Sequence, residues 1–161
     1  MRSGWLAAAL LCAAVGFALG FAPARARVIA LGVLAVIALA VAFAPIPTAW
    51  TDGVFLGCWL SVIAAAASVN LPRGVGRGVA LGLAVNGGLW SGAVITVAGS
   101  RLDLARALPW VLLCWPAAWL VGRRWQLAVK VAAGWLIAVA LLSGSLQLLV
   151  PTPGYKADHM E

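Results

Sequence analysis

Apolar and polar positions segregate along this chain into long blocks instead of alternating residue by residue. Six apolar runs stand out, roughly Trp5–Ala22, Val28–Ala44, Gly53–Asn70, Val79–Gly99, Ala107–Val121 and Val131–Val150, and nearly every charge falls in the gaps between them. A bilayer core about 30 Å thick is crossed by a helix of about 20 apolar residues, with a range of about 17–25. Five of the runs fit that range. The fifth in order, Ala107–Val121, has only 15 residues, or about 23 Å at the helical rise of 1.5 Å per residue. Arg106 and Arg123 at its ends can snorkel and lengthen its reach; a re-entrant segment is the alternative. The pattern predicts an all-α integral membrane protein with six transmembrane helices over residues 1–150, followed by a short polar tail at 151–161. The first run is longer than the apolar core of about 7–15 residues in a signal sequence, so it is expected to be a retained helix.

Composition agrees. Of 161 residues, 65% are hydrophobic and 9% charged, against about 25% charged in soluble domains. The formal net charge of +7 does not imply nucleic acid, because the arginines are spread over short loops beside spans, where anionic headgroups and water surround them. With six spans, one side holds Arg25, Arg27, Arg73, Arg77, Arg123, Arg124 and Lys130 and no acid. The other holds Arg2, Arg101, Arg106 and Lys156 together with Asp52, Asp103, Asp158 and Glu161. The positive-inside rule places the acid-free side in the cytoplasm, giving an N-out, C-out topology. Nine arginines against two lysines suit a GC-rich bacterial source, and with it a bacterial inner membrane.

Two segments match at an offset of 50 residues, Arg27-Val-Ile-Ala-Leu-Gly32 and Arg77-Gly-Val-Ala-Leu-Gly82, and Cys58-Trp59 matches Cys114-Trp115. Three repeated helical hairpins would account for this, although chance matches are frequent in so biased a composition. Such repeats in transporters place sites at the repeat interface. The best single candidate for a site is Asn86, mid-way along the fourth run and followed by Gly87 and Gly88. An amide in hydrocarbon is costly without a partner, so Asn86 is expected to face the bundle interior. The two glycines admit a neighbouring backbone or allow the helix to unwind locally. Ser61 and Ser68, seven residues apart, share a face of the third run. With Asn70, Asn86, Thr96, Ser143, Ser145 and Gln147 they are candidates for an uncharged polar path, against the plainer reading that such residues bond to a carbonyl one turn back. Trp115 and Trp119 lie four apart on one face and are either lipid-facing or packing bulk, or else an aromatic wall lining a substrate cavity. The pairs Gly78/Gly82 and Gly88/Gly92 lead us to expect the fourth helix at the centre of the bundle. Pro116 predicts a kink in the fifth run, and Asp52 an N-cap for the third helix.

Catalytic groups are scarce. The only histidine is His159, no acid lies within a run, and no nucleotide-binding glycine loop is present. No enzyme activity, cofactor or metal site is expected; Cys12, Cys58 and Cys114 all sit in apolar runs, where free cysteine behaves as a small hydrophobe. The leading expectation is a small channel or transporter for a neutral or anionic solute, and the alternative a non-catalytic subunit that scaffolds or anchors a larger envelope complex. The partners are the lipid bilayer and either further copies of the chain or other membrane subunits, and not nucleic acid. The topology is testable: cysteines introduced as Arg73→Cys and Arg124→Cys should label only from the cytoplasmic side, and labelling of either from outside would overturn the orientation.

Overall fold

The structure is a computed structural model that describes residues 4–72 and 74–148, with the side chains at 48, 101, 147 and 148 outside that description. The polar tail at 151–161 also lies outside the described residues. The described chain is all-helical: α1 (Gly4–Gly20), α2 (Ala24–Ala42), a 3-10 turn (Thr48–Trp50), α3 (Thr51–Ser68), α4 (Arg77–Ala98), α5 (Arg101–Ala107), a 3-10 stretch (Leu108–Leu113), α6 (Cys114–Gly122) and α7 (Gln126–Leu148). Five helical segments are long and apolar enough to cross a membrane: α2, α3, α4, Leu102–Gly122 and Gln126–Leu146; α1 is apolar but shorter, at 17 residues.

The fifth segment corrects the sequence reading. It is not short. A capping box starts α5 early, with the Ser100 backbone N–H and hydroxyl both donating to Asp103 Oδ2, at 2.8 and 3.0 Å. Asp103 and Arg106 therefore sit inside the helix, on a turn exposed enough to carry charge, and do not end it. The irregularity expected at Pro116 lies just upstream, as the 3-10 stretch at Leu108–Leu113, which carries Pro109 at its start. The proline ring at 116 crowds the carbonyl four residues back and offers it no N–H, so the strain is taken up by tighter winding before it. Asp52 is likewise not an N-cap; it lies in the first turn of α3, where a negative charge still complements the helix dipole.

Helix α1, not α4, holds the centre. Thirteen of its 17 residues are buried, and it packs against α3, α4 and the α5–α6 column, with lighter contacts to α2 and α7. The reason is size. Most of its buried residues are alanine or glycine, and three glycines set its distance from neighbours. A Cβ at Gly4 would stand 2.9 Å from the Ala98 carbonyl, one at Gly16 2.8 Å from Val111 O, and one at Gly20 2.6 Å from Ala117 Cβ. In lipid, helices associate through such close packing, since the hydrophobic effect between them is absent. The two hairpins α1–α2 and α3–α4, expected as repeats, occupy unlike places: α1 buries 13 of its 17 residues against eight of 18 in α3, and α2 four of 19 against nine of 22 in α4.

Helices α2 and α4 lie side by side and parallel. The buried residues of α2 are Ala26, Ala30, Leu34 and Ala38, one every four residues; they face a matching stripe of Ala80, Ala84, Gly88 and Gly92. A Cβ at Gly88 would stand 2.8 Å from Leu34 O, and one at Gly92 2.6 Å from Ala38 O. Thr96 Oγ1 donates across this seam to Val41 O at 3.1 Å and lies 3.0 Å from Gly92 O. Gly87 instead faces α1, where its Cβ would meet Val15 Cγ2 at 2.9 Å. So α4 does touch two helices through glycine, but through Gly87, Gly88 and Gly92. Gly78 and Gly82 have nothing within 4 Å of a would-be Cβ.

The alternation of helices collects Arg25, Arg27, Arg77, Arg123, Arg124 and Lys130 at one end of the bundle, opposite Asp52 and Asp103. Arg27 is spent on structure there: Nε donates to Leu19 O at 3.1 Å and Nη2 to Ala22 O at 3.0 Å and Gly20 O at 3.4 Å. It thereby serves carbonyls at the end of α1 and in the turn after it, adding to the Ala22 N–H bond that Leu19 O already accepts, and it places a positive charge at the negative end of that helix dipole.

The glycine geometry gives a directional prediction. Gly88→Leu should lower stability by about 1–3 kcal/mol through overpacking against the α2 backbone. Gly82→Leu, in open space, should leave the unfolding midpoint in detergent nearly unchanged. Equal midpoint shifts for the two variants would contradict this packing.

Candidate functional site

Ser61 and Asn86 come together. Ser61 is buried on α3 and its hydroxyl donates to Asn86 Oδ1 of α4 at 3.3 Å. Asn86 is half-buried at this seam, so the amide has a partner. Its N–H groups have no acceptor among the described residues. The backbone around it stays helical from Arg77 to Ala98. Gly87 and Gly88 serve the approach of α1 and α2 and do not unwind the helix, because the close contacts they permit would be lost if it opened.

Of the other polar candidates, Ser68, Thr96 and Ser145 are bonded where they stand. Ser68 Oγ donates to Ala65 O at 2.6 Å, Ser145 Oγ to Leu142 O at 2.9 Å, and the buried Ser91 Oγ to Gly88 O at 3.2 Å. These are bonds one turn back along the same helix. Together with Thr96 they leave separate local pairings, and the structure does not join them into a continuous polar path; the Gln147 side chain lies outside the described residues. Each of the three cysteines is buried and free, and Cys58 Sγ lies 3.7 Å from Ala7 O. Among the described residues no cluster of three His, Cys, Asp or Glu side chains could hold a metal ion.

Trp115 and Trp119 do not join Asn86. They are 53% and 56% exposed on α6, which packs against α1 and α7, away from the α3–α4 seam. Trp119 instead carries the Arg123 guanidinium 4.3 Å above its ring, a cation–π pairing that suits an interfacial position. Trp5, Trp50 and Trp125 are exposed near span ends, as an aromatic belt requires. Trp59 is the contrary case: it is 5% exposed, and its indole N–H has no partner among the described residues.

The sequence reading missed a cleft of about 380 Å³ between α1, the 3-10 stretch and α7, lined by Trp5, Leu6, Phe17, Trp110, Trp135 and Leu136 among others. Its walls are apolar and aromatic, drawn from three segments distant in the chain, so no local motif announces it. It offers apolar contact and no acid–base or nucleophilic chemistry. No family model, curated protein or solved structure matches the chain.

The Ser61–Asn86 pair is open to a double-mutant cycle. Interhelical side-chain bonds of this kind contribute about 0.6 kcal/mol on average, so the coupling between Ser61→Ala and Asn86→Leu in detergent unfolding should be of that order and favourable. A coupling indistinguishable from zero would show that the 3.3 Å contact carries no stability.

Proposed function

We propose that this chain is a non-catalytic membrane subunit, a six-span N-out, C-out bundle in a bacterial inner membrane that scaffolds or anchors a larger envelope complex. The observation that carries this reading is the position of α1. A ring of helices with a substrate path keeps its axis open or polar, and here the axis is filled by a helix packed through alanine, valine, leucine and glycine. Among the polar side chains that would line a path, Ser68, Thr96 and Ser145 bond to carbonyls of their own helices. Two surface features suit attachment to other spans. The apolar cleft beside Trp110 and Trp135 has the size of a few large side chains. Asn86 retains amide donors on a half-exposed face, and interhelical amide bonds are a known means of joining helices in lipid.

The channel or transporter reading rests on the Ser61–Asn86 pair alone and predicts a different outcome in reconstitution. Purified protein in liposomes should pass glycerol, urea and chloride no faster than protein-free vesicles do. Saturable flux of any of these, abolished by Asn86→Leu, would overturn the scaffold reading in favour of transport.

A further inference from the structure

We propose that the groove where α2 and α4 begin is a binding site for one anionic phospholipid, its phosphate held between Arg25 and Arg77 and an acyl chain lying along α2. The groove has a volume of about 170 Å³ and is lined by Arg25, Ala26, Ile29, Arg77 and Leu81. Its two guanidinium groups come from separate helices that are held parallel by the alanine and glycine seam above them. Both arginines are exposed, and neither forms an ion pair or hydrogen bond with a described residue. Arg27, two residues away, shows the contrast, since its donors are taken by the carbonyls at the end of α1. No acid occurs in the first turn of either helix, and Asp52 and Asp103 lie at the opposite end of the bundle. The site therefore carries two positive charges with no counter-charge of its own.

The apolar side of the groove selects the source of the negative charge. Ile29 also lines a second trough, of about 430 Å³, that continues along α2 past Val28, Gly32, Val33, Val36 and Ile37. From Ile29 to Val36 is about 10 Å of helix, long enough to seat part of an acyl chain. Gly32, Gly78 and Gly82 leave the flanks open, with nothing within 4 Å of their would-be Cβ atoms. A charged pocket that shares Ile29 with a shallow apolar trough along α2 fits an amphiphile with its phosphate at the end of the span. Guanidinium groups bind phosphate oxygens in paired hydrogen bonds, and basic pockets between helices at this membrane depth bind acidic headgroups.

The test is a native mass-spectrometry titration of the purified full chain in detergent with dioleoyl phosphatidylglycerol and dioleoyl phosphatidylcholine. One phosphatidylglycerol should bind with clear preference over phosphatidylcholine. The double variant Arg25→Gln/Arg77→Gln should weaken it on the order of tenfold or more, and Arg25→Lys/Arg77→Lys should restore part of that. Gly32→Trp, which fills the trough and leaves both arginines, should also weaken it. Millimolar inorganic phosphate should not displace the lipid; displacement would make this a site for a free anion and overturn the proposal. Equal binding of the two lipids, or an equal loss from Arg123→Gln/Arg124→Gln at the same end of the bundle, would reduce the effect to general surface charge and overturn it as well. Should the double glutamine variant fail to fold, the Gly32→Trp result decides: unchanged phosphatidylglycerol binding there overturns the proposal.

Discussion

Everything in this bundle depends on how closely α1 can be approached. Helices in lipid gain little from leaving it, so their association rests on dispersion between surfaces in contact. Dispersion falls off within about an ångström of optimal separation, and only small side chains allow backbones that near. Gly4, Gly16 and Gly20 let α4, the 3-10 stretch and α6 touch α1 at its two ends and one intermediate level. The remaining contacts follow from that spacing. The α2–α4 seam repeats the device with carbonyl oxygens of α2 set against Gly88 and Gly92, and Thr96 adds a hydrogen bond at its far end.

The charges are arranged around this packing and do not create it. Arg27 is drawn onto the end of α1 and stitches the three-residue turn to α2. Arg124 holds a positive φ of 64° at the turn into α7, a conformation that favours glycine. It is kept there by a Schellman-type pairing, in which Trp125 N–H donates to Leu120 O at 2.9 Å and Arg124 N–H to Val121 O at 3.1 Å. Arg25 and Arg77 have no such employment. Arginines of one loop class in the sequence thus divide into those that close turns and those left facing outward, and only the folded geometry separates them.

Several features were legible in the sequence because they follow from a single local signal. Block hydropathy marks the spans of α2, α3, α4 and α7, and an isolated mid-run amide such as Asn86 marks a residue that needs a partner. Its partner Ser61 was nameable as a candidate but not as a pair, since 25 residues separate them and no periodicity links two helices. The central position of α1 was not legible: α4 has a glycine pattern just as suggestive, and which stripe is buried depends on where five other helices settle. Gly78/Gly82 and Gly88/Gly92 have the same spacing, yet only the second pair has a neighbour. The tryptophans were ambiguous in the same way: a face shared by Trp115 and Trp119 does not say whether it looks in or out, and the fold leaves it exposed, as the lipid-facing alternative has it.

The 3-10 stretch at Leu108–Leu113 has a consequence for rotational phase. Buried residues along the α5–α6 column fall at Leu104, Ala107, Val111, Cys114 and Ala117, a mean spacing shorter than an α-helical turn. In uninterrupted α-helix, at about 100° per residue, those thirteen steps would end about 140° short of four turns, and the stripe would wind away from α1. A 3-10 residue advances about 120°, so six of them recover about 120° of that deficit. The tight winding acts as a phase corrector that keeps one irregular stripe trained on the central helix over the whole column. The column is therefore indexed to α1 by residue count, and its sequence reads as a poor helix for the same reason that it packs as a good one.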